Sequence, residues 1–381
     1  MLAVVVGIGA LLYHFIMFPL ILLGVASSRK EKSYTPWDED RLPTIDLLIA
    51  AKNEASCLRE KLDNSCDLDY PAEKLRIIVL ANGCTDETVK VAESNSIGRI
   101  TVLEFDDIGK TEAQNRAVSE SSSDIVVFSD ANTLYDSDAL RKLIVPFTDP
   151  AVGVVSGRHK YRRNGSAADS TEGAYWNIFE TGLKRAESRT GGLIGANGSI
   201  YALRRELYEP LPPDVISDFI EPLLISLRGY RTEYAPDAVA WEVAESNLHE
   251  ELARKERIVR RSFSSLLKYP QLLDPGRSGR ISWLIWSHKV LRWFAPFLGA
   301  LALLGSLLRI LTGKGGKIDY TVFGGSTILG FFALLGRGLG TEKAIPLLSH
   351  SYYLVLMLKA ASTGVIKALR DGSQITWNHN R

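Results

Sequence analysis

The stretch DIVVFSDANT, residues 124–133, decides the fold class. Residues 125–128 are apolar and prone to β structure, and two polar residues, Asp130 and Asn132, follow closely. Three earlier runs share this pattern of an apolar stretch that ends in polar residues: TIDLLIA (44–50), RIIVLA (76–81) and RITVLEF (99–105). A segment with helical spacing follows each run. Strands that alternate with helices predict a parallel sheet covered by helices on both faces.

Polar residues gather where the predicted strands end. Ligands of such sheets bind beyond the carboxyl ends of the strands. Four segments should therefore converge on one crevice: KNE (52–54), NGCTD (82–86), GK (109–110) and SDAN (129–132). No phosphate-binding P-loop occurs in the sequence. The glycine-rich stretch GGLIGANG (191–198) lacks the preceding strand that a dinucleotide site requires, so such a site is disfavoured.

Two acidic residues, Asp130 of this crevice and Asp218 elsewhere in the sequence, each allow two interpretations. Oxygens of Asp130 and Asn132 suit a hard cation, Mg²⁺ or Mn²⁺, that also binds substrate phosphate. Alternatively, Asn132 or Thr133 caps a helix that begins near Asp136. Asp218 lies among apolar neighbours, where a carboxyl can have a raised pKa and act as a base. It could equally be the N-cap of the apolar helix that follows.

Basic residues point to anions of two kinds. Lys110 precedes a predicted helix and could meet a phosphate, although a lone lysine is usually a surface residue. The segment 251–267 predicts a basic helix whose arginines could bind a pyrophosphate or rest on anionic lipid. The net charge of +1 gives no indication of a nucleic-acid-binding surface, so no nucleic-acid partner is expected.

Both ends of the chain are apolar. Residues 2–25 carry no charged side chain and no basic residue precedes them, which favours an uncleaved anchor over a signal peptide. Arg29, Lys30 and Lys32 place the following side in the cytoplasm. The C-terminal region offers two or three further membrane segments. We predict an N-terminal anchor at residues 1–26 and a soluble domain at 42–275. An interfacial amphipathic segment is predicted at 282–293, followed by C-terminal membrane segments at 294–369 and a tail at 370–381.

Seven segments, in this order, resemble the family 2 glycosyltransferases, which are inverting enzymes of GT-A fold. They are IAAKNEA, ANGCTDET, GKTEAQNRAV, VVFSDANT, GANGSIYALRREL, SDFIEP and RKERIVRRSF. The resemblance covers about residues 44–270 and implies an α/β fold, a Rossmann-like mixed sheet with helices on both faces, flanked by transmembrane helices. The membrane arrangement is similar to that of the hyaluronan, cellulose and poly-N-acetylglucosamine synthases.

The resemblance also implies roles for individual residues. The nucleotide-sugar donor would be held by Ala50, Asn53, Glu54, Asn82, Asp86, Lys110, Asp130, Arg257, Arg260 and Arg261. A divalent cation, Mg²⁺ or Mn²⁺, would be bound by Asp130 and Asn132. The sugar and acceptor pocket would be lined by Gly195, Ala196, Asn197, Gly198, Ser199, Phe219 and Glu221. The general base that deprotonates the acceptor hydroxyl would be Asp218.

The sequence departs from the family pattern at informative positions. Asn132 replaces the second acid of the usual Asp-x-Asp motif, and Ser217 replaces the acid that commonly precedes the base. An acid that usually contacts the nucleotide near the second strand is absent, with Ala81 and Asn82 in its place. Processive synthases carry Gln-x-x-Arg-Trp, whereas this chain has RIVRR (257–261). The last departure favours single or short additions over extrusion of a long polymer.

The resemblance therefore implies a metal-dependent, inverting hexosyltransferase bound to the cell membrane, with its catalytic domain in the cytoplasm. It would move a sugar from a nucleotide-sugar, with uridine as the family's usual base, to a lipid-linked or growing glycan acceptor in surface polysaccharide or glycoconjugate synthesis. Membrane lipid is a further expected partner. Two alternatives stay open: a processive synthase that extrudes its polymer, and a non-catalytic membrane subunit that keeps the fold.

Overall fold

The computed structural model describes residues 1–94, 98–162, 180–243, 248–339 and 345–373. Most of the predicted tail, residues 374–381, lies outside this part of the chain. The chain divides into two compact units. A helical unit contains the described residues of Met1–Gly24 and Glu245–Gly372, and a sheet unit contains Ser373 and the described residues of Val25–Arg163 and Tyr175–Ala244.

The sheet unit is built on one eight-stranded sheet. Its strands are β1 Ile45–Ala51, β2 Leu75–Asn82, β3 Ile100–Phe105, β4 Ile125–Asp130, β5 Thr133–Tyr135, β6 Val152–Arg162, β7 Ile200–Arg204 and β8 Arg231–Val243. Their spatial order is β3-β2-β1-β4-β7-β6-β8-β5. Strands β3, β2, β1 and β4 run parallel, whereas β7 runs antiparallel to both β4 and β6. Strands β6 and β8 also pair parallel, and β5 runs antiparallel to β8. The prediction of a mixed α/β sheet is confirmed, and β7 and β5 are the strands that depart from the predicted parallel arrangement.

A short connection explains why β5 does not pair parallel with β4. Only Ala131 and Asn132 separate β4 from β5, and a parallel crossover needs about a dozen residues. Strand β5 therefore leaves the parallel strands and pairs antiparallel with β8, where Thr133 lies opposite Glu242. The helix predicted to start near Asp136 begins only after this strand.

Fourteen α-helices are numbered here along the described chain. They are α1 Leu2–Leu12, α2 Phe18–Ser27, α3 Ala55–Cys66, α4 Thr88–Ser94, α5 Lys110–Ser119, α6 Ala139–Ile144, α7 Thr181–Thr190, α8 Ser217–Leu227, α9 Leu248–Lys268, α10 Pro275–Ser278, α11 Arg280–Leu284, α12 Leu291–Leu311, α13 Lys317–Leu339 and α14 Pro346–Asp371.

Helices cover both faces of the sheet, as predicted. Alternate residues of β1 face opposite ways: Leu47 packs in one core cluster with Leu58 of α3, and Leu48 packs in another with Ala113 of α5. All seven residues of β1 are consequently buried. Burial on both faces is the reason why this strand reads as a nearly continuous apolar run.

The described residues include four helices long and apolar enough to cross a membrane: Leu2–Ser27, Arg280–Leu311, Lys317–Gly338 and Pro346–Asp371. The predicted interfacial segment, 282–293, is not a separate element. It forms the first turns of the second of these helices, where α11, a π-helical stretch Ile285–Val290 and α12 follow one another without a break. Its location at a membrane surface stays a prediction.

Within the helical unit, α14 lies along the charged helix α9. The Tyr353 hydroxyl donates to Glu251 Oε1 at 2.7 Å, and the Thr363 hydroxyl donates to Glu256 Oε2 at 2.8 Å. A Cβ on Gly364 would lie 2.8 Å from a side-chain atom of α9, so the two helices approach closely there. One face of α14 therefore packs against α9, a helix that carries many charged residues.

Candidate functional site

Asp130 ends β4 at the carboxyl edge of the parallel strands. It lies opposite Ala50 of β1, and Lys110 Nζ donates to its Oδ1 at 2.5 Å. Lys110 is the first residue of α5 and follows Gly109, whose φ of +85° turns the chain into the helix. The side chains of Lys110 and Asp130 are 19% and 30% exposed, so the ion pair is open to a ligand.

Hydrogen bonds connect the polar segment after β1 to the polar segment after β2. Asn53 Oδ1 accepts the Thr85 backbone N–H at 2.7 Å, and Asp86 Oδ2 accepts the Ala55 N–H at 3.2 Å. Glu54 is buried, and its backbone N–H donates to a neighbouring hydroxyl. The side chains of Asn53 and Asp86 therefore shape these two loops, and the donor contact expected of them stays a prediction.

Asn82 carries an unused donor at the end of β2. Its Oδ1 accepts the Ile108 N–H at 2.9 Å, while its fully buried Nδ2 has no hydrogen-bond partner in the described part of the chain. Buried donors without partners are rare in folded proteins and point to a ligand or a water. Sequence reasoning missed the neighbouring ion pair, in which Lys52 Nζ donates to Asp107 Oδ1 at 2.7 Å.

The register of β4 and β7 joins two predicted groups of site residues. Ser129 of β4 lies opposite Ile200 of β7, so the Asp130 end of one strand meets the start of the other. The loop GANGS (195–199) immediately precedes Ile200. Asp130 and the glycine-rich loop consequently share one edge of the sheet, which the sequence did not reveal because these strands are antiparallel.

Asp218 lies against the same loop. Its backbone oxygen accepts the Ala196 N–H at 2.7 Å, and a Cβ on Gly198 would lie 2.4 Å from its Oδ2. The N-cap of α8 is Ile216, so the alternative that Asp218 caps this helix is wrong. Asp218 instead projects from the first turn, with its carboxylate against backbone that has no room for a side chain.

Other residues of the expected acceptor pocket are mostly buried. Glu221 is 2% exposed, its Oε2 accepts the Tyr201 hydroxyl at 3.1 Å, and burial raises its pKa to about 8, so it is mainly neutral at pH 7. Phe219 packs beside Gly195, and the Asn197 backbone N–H donates to Ser156 Oγ at 3.0 Å. Their assigned contacts with sugar remain predictions.

Asn132 does not cap a helix. Its Nδ2 donates to Glu242 Oε1 at 2.8 Å, and the other carboxylate oxygen of Glu242 lies 2.9 Å from His159 Nε2. Thr133 belongs to β5, and the N-cap of α6 is Asp138. Both capping hypotheses are therefore wrong, because β5 intervenes before the helix. No local sequence signal identifies Glu242 or His159 as neighbours of the site.

Three arginines of the predicted site belong to the other unit. Arg257, Arg260 and Arg261 lie on α9, and Arg260 Nε donates to the Gly372 carbonyl at 2.9 Å. Arg260 is thereby held by Gly372, the residue that follows α14. The donor contact expected of these arginines stays a prediction.

The residues at this edge fit a divalent cation that shares its coordination with a substrate. Among the described residues there is no group of three or more His, Cys, Asp or Glu side chains that could hold a metal. Mg²⁺ and similar ions commonly bind one or two carboxylates and complete their coordination with substrate phosphates and water. Asp130, with the amide of Asn132 two residues on, is suited to that arrangement and not to an all-protein cage.

A solved structure shares the α/β architecture described above. The structure superimposes on a mannosyltransferase from Pyrobaculum calidifontis, solved in complex with GDP-Man and Mn²⁺, with a TM-score of 0.72. The match covers 97% of this chain and 99% of that one, at 23% sequence identity. At this identity the similarity establishes the fold alone.

Sequence comparison identifies relatives and a family. A poly-β-1,6-N-acetyl-D-glucosamine synthase of Staphylococcus aureus (strain COL) is 28% identical over 218 residues, 55% of this chain and 52% of that protein. An N-acetylglucosaminyltransferase of Rhizobium sp. (strain N33) is 28% identical over 256 residues, 62% of this chain and 56% of that protein. The chain thus spans about half the length of these curated relatives. The model of the "Glycosyltransferase like family 2" matches residues 43–260, and the chain belongs to that family.

Proposed function

We propose that the protein is a membrane-bound, metal-dependent, inverting glycosyltransferase that uses a nucleotide-sugar donor and a glycan or lipid-linked acceptor. The observation that carries the proposal is the register of β4 and β7, with Ser129 opposite Ile200. It brings the Lys110–Asp130 pair and the loop that holds Asp218 to one edge of the sheet. A group that binds phosphate and a separate carboxylate that can accept a proton are the two parts that sugar transfer needs.

The chain's own groups have distinct tasks in this reaction. Lys110 would contact the donor diphosphate, and Asp130 with Asn132 would hold the cation. A cation bound there would stabilise the negative charge that develops on the departing diphosphate. Asp218 would accept the proton of the acceptor hydroxyl, whose oxygen attacks the anomeric carbon opposite the leaving group. One displacement inverts that carbon, so an α-linked donor gives a β-glycoside.

We also propose which donor the protein uses and how many sugars it adds to each acceptor. The relatives are named as an N-acetylglucosaminyltransferase and as a synthase of a β-linked N-acetylglucosamine polymer, which supports UDP-N-acetylglucosamine as the first donor to test. The fold relative was solved with GDP-Man, which makes this compound the second. Arg261 stands where processive synthases have tryptophan, so we propose one or a few additions per acceptor.

A donor screen tests the proposed activity. Purified full-length protein in detergent is incubated with radiolabelled UDP- and GDP-sugars and Mn²⁺, and sugar release and transfer are measured with and without a chelator. We expect turnover of one donor that the chelator abolishes. Absence of turnover for every donor would favour a non-catalytic subunit, and a ladder of long products would contradict limited addition.

We further propose a topology with three membrane crossings. The charged helix α9 is unsuited to the hydrocarbon region, and α14 lies along it, so α14 would stay on the same side as α9. The crossings would then be Leu2–Ser27, Arg280–Leu311 and Lys317–Gly338. This arrangement returns the C-terminal basic residues to the side of Arg29 and Lys32, in agreement with the positive-inside rule.

Thiol labelling tests this topology. The test uses a protein in which the native cysteines Cys57, Cys66 and Cys84 are replaced by serine. In intact cells a membrane-impermeant maleimide should leave Arg370→Cys unmodified and should label it after permeabilisation. Lys314→Cys, in the turn between α12 and α13, should be labelled without permeabilisation and serves as the matched control. Labelling of Arg370→Cys in intact cells would mean that α14 crosses the membrane.

A further inference from the structure

Lys61 is a fully buried lysine of α3, the helix that packs against β5, the strand that follows Asp130. Its side chain is 0% exposed, and its Nζ has no hydrogen-bond partner in the described ranges of the chain. The Nζ lies 3.9 Å from the centre of the Tyr135 ring, which provides a cation–π contact. Placing a lone ammonium group in a protein interior destabilises the fold, so such a lysine calls for a functional explanation.

Hydrogen bonds fix α3 against β5, the strand that follows Asp130. One turn after Lys61, Asn64 bonds both backbone groups of Tyr135, donating to its oxygen at 2.9 Å and accepting from its N–H at 2.8 Å. Within the turn, the Thr133 hydroxyl donates to the Asp130 carbonyl at 2.9 Å. Lys61 therefore lies against Tyr135, the last residue of a hydrogen-bonded segment that begins with Asp130.

The charges of Lys61 and Asp130 influence each other. Burial lowers the pKa of Lys61 to about 7, and the negative charge of Asp130 opposes that change. Asp130 is also paired with Lys110 on its exposed side. Asp130 thus forms an ion pair with Lys110 and also acts electrostatically on Lys61. The position that could supply a second carboxylate holds the neutral Asn132.

We propose that Lys61 is a positioning residue whose buried positive charge weakens the hold of Asp130 on a bare divalent cation, so that the site takes up the cation together with an anionic diphosphate. This inference rests on the proposed function. The positive charge of the buried Lys61 repels a free Mn²⁺ ion at the nearby Asp130. It repels a complex of Mn²⁺ with a nucleoside diphosphate much less, because the phosphates cancel the charge of the metal.

The physical consequence is a coupling between two ligands. The nucleoside diphosphate should tighten the binding of Mn²⁺, and Mn²⁺ should tighten the binding of the diphosphate by the same factor. Removing the charge of Lys61 should reduce this coupling by strengthening the binding of Mn²⁺ alone. A merely structural lysine would act in the opposite direction, since its loss would loosen the site.

Direct measurement of Mn²⁺ binding tests the proposal without turnover. Full-length protein in detergent at pH 6.5 is titrated with Mn²⁺ in the presence and absence of UDP or GDP, and free Mn²⁺ is followed by electron paramagnetic resonance. In Lys61→Met we expect the Kd of Mn²⁺ alone to fall by about threefold, because Lys61 can also release its proton when Mn²⁺ binds. The tightening caused by the diphosphate should shrink by the same factor.

Three variants control for other effects. Lys90→Met removes a positive charge from a lysine whose side chain is 76% exposed, and it should leave Mn²⁺ binding unchanged. Lys61→Gln provides a second neutral replacement, and Lys61→Arg retains the charge and should behave like the wild type. We also expect a higher melting temperature for Lys61→Met, because an apolar side chain replaces a lone buried amine.

The outcomes separate this inference from the function on which it rests. A folded Lys61→Met or Lys61→Gln protein that binds Mn²⁺ as weakly as the wild type, or more weakly, would overturn the role of Lys61. Failure of both variants to fold would overturn it as well, because the lysine would then be needed for the fold. A wild-type protein whose Mn²⁺ affinity responds to neither UDP nor GDP would contradict the proposed donor site itself.

Discussion

Replacing Asp218 with asparagine should lower the transfer rate by about 10³-fold and change donor affinity by less than about twofold. The two side chains have the same shape, and only the aspartate can accept a proton. The Gly198 backbone lies so close to Asp218 Oδ2 that an added Cβ would be 2.4 Å away, which keeps an asparagine in the same position. The acceptor hydroxyl would then lose its proton only to water, whereas the donor contacts would persist.

Initial rates at saturating donor, measured over a range of acceptor concentrations, separate the effect on kcat from that on KM. The rise of kcat/KM with pH in the wild type should vanish in Asp218→Asn, because the group whose ionisation causes it is gone. Asp237→Asn, which neutralises an exposed aspartate of β8, is the matched control and should behave like the wild type. A rate within threefold of the wild type, or a loss confined to the KM of the acceptor, would exclude Asp218 as the base.

The parallel half of the sheet was predictable because burial acts on both faces of each strand. Strands β1, β2 and β4 are nearly continuous apolar runs, and the polar residues that end them mark the edge where the chain leaves the core. Asp130 and Lys110 could therefore be assigned to one crevice from local pattern alone, and the structure joins them in an ion pair.

The rest of the site depends on contacts between residues that are far apart in sequence. Asn132 bonds Glu242 across 110 positions, and no periodicity within either segment predicts that pair. The capping hypotheses failed for a related reason. Asn132 and Thr133 are good N-cap residues by type, but Thr133 belongs to β5, which pairs with the distant strand β8, and the helix begins only after it.

Buried polar groups were the least predictable feature. In the sequence Lys61 is one of several charged residues in an amphipathic helix, where a lysine normally reaches solvent. Its burial follows from the position of Tyr135, which β5 supplies from outside the helix. Glu221 likewise follows Asp218 by one helical turn, yet its carboxyl faces Tyr201 in the core. Neither environment can be read from the residues beside it in the chain.

Replacing Asp130 with asparagine should abolish the stimulation of transfer by Mn²⁺ and lower kcat/KM for the donor by about 10²- to 10³-fold. Asp130 is the sole carboxylate of the proposed cation-binding pair, and Asn132 supplies only a neutral oxygen. The substitution leaves an amide in both places, so the cation loses its charged ligand and the diphosphate loses the cation. Titration of Mn²⁺ in the presence of UDP or GDP should show weakened binding that accounts for the kinetic loss.

A second substitution separates binding from stability in this test. Asp130→Asn also removes the charge that favours the ammonium form of Lys61, so the single variant should melt at a lower temperature than the wild type. Adding Lys61→Met should restore the melting temperature without restoring stimulation by Mn²⁺, because the cation's carboxylate ligand is still missing. Asp138→Asn, a change at a half-exposed aspartate of the same unit, is the control for loss of one negative charge. Recovery of Mn²⁺-dependent transfer in the double variant would show that Asp130 acts only through stability and is not a metal ligand.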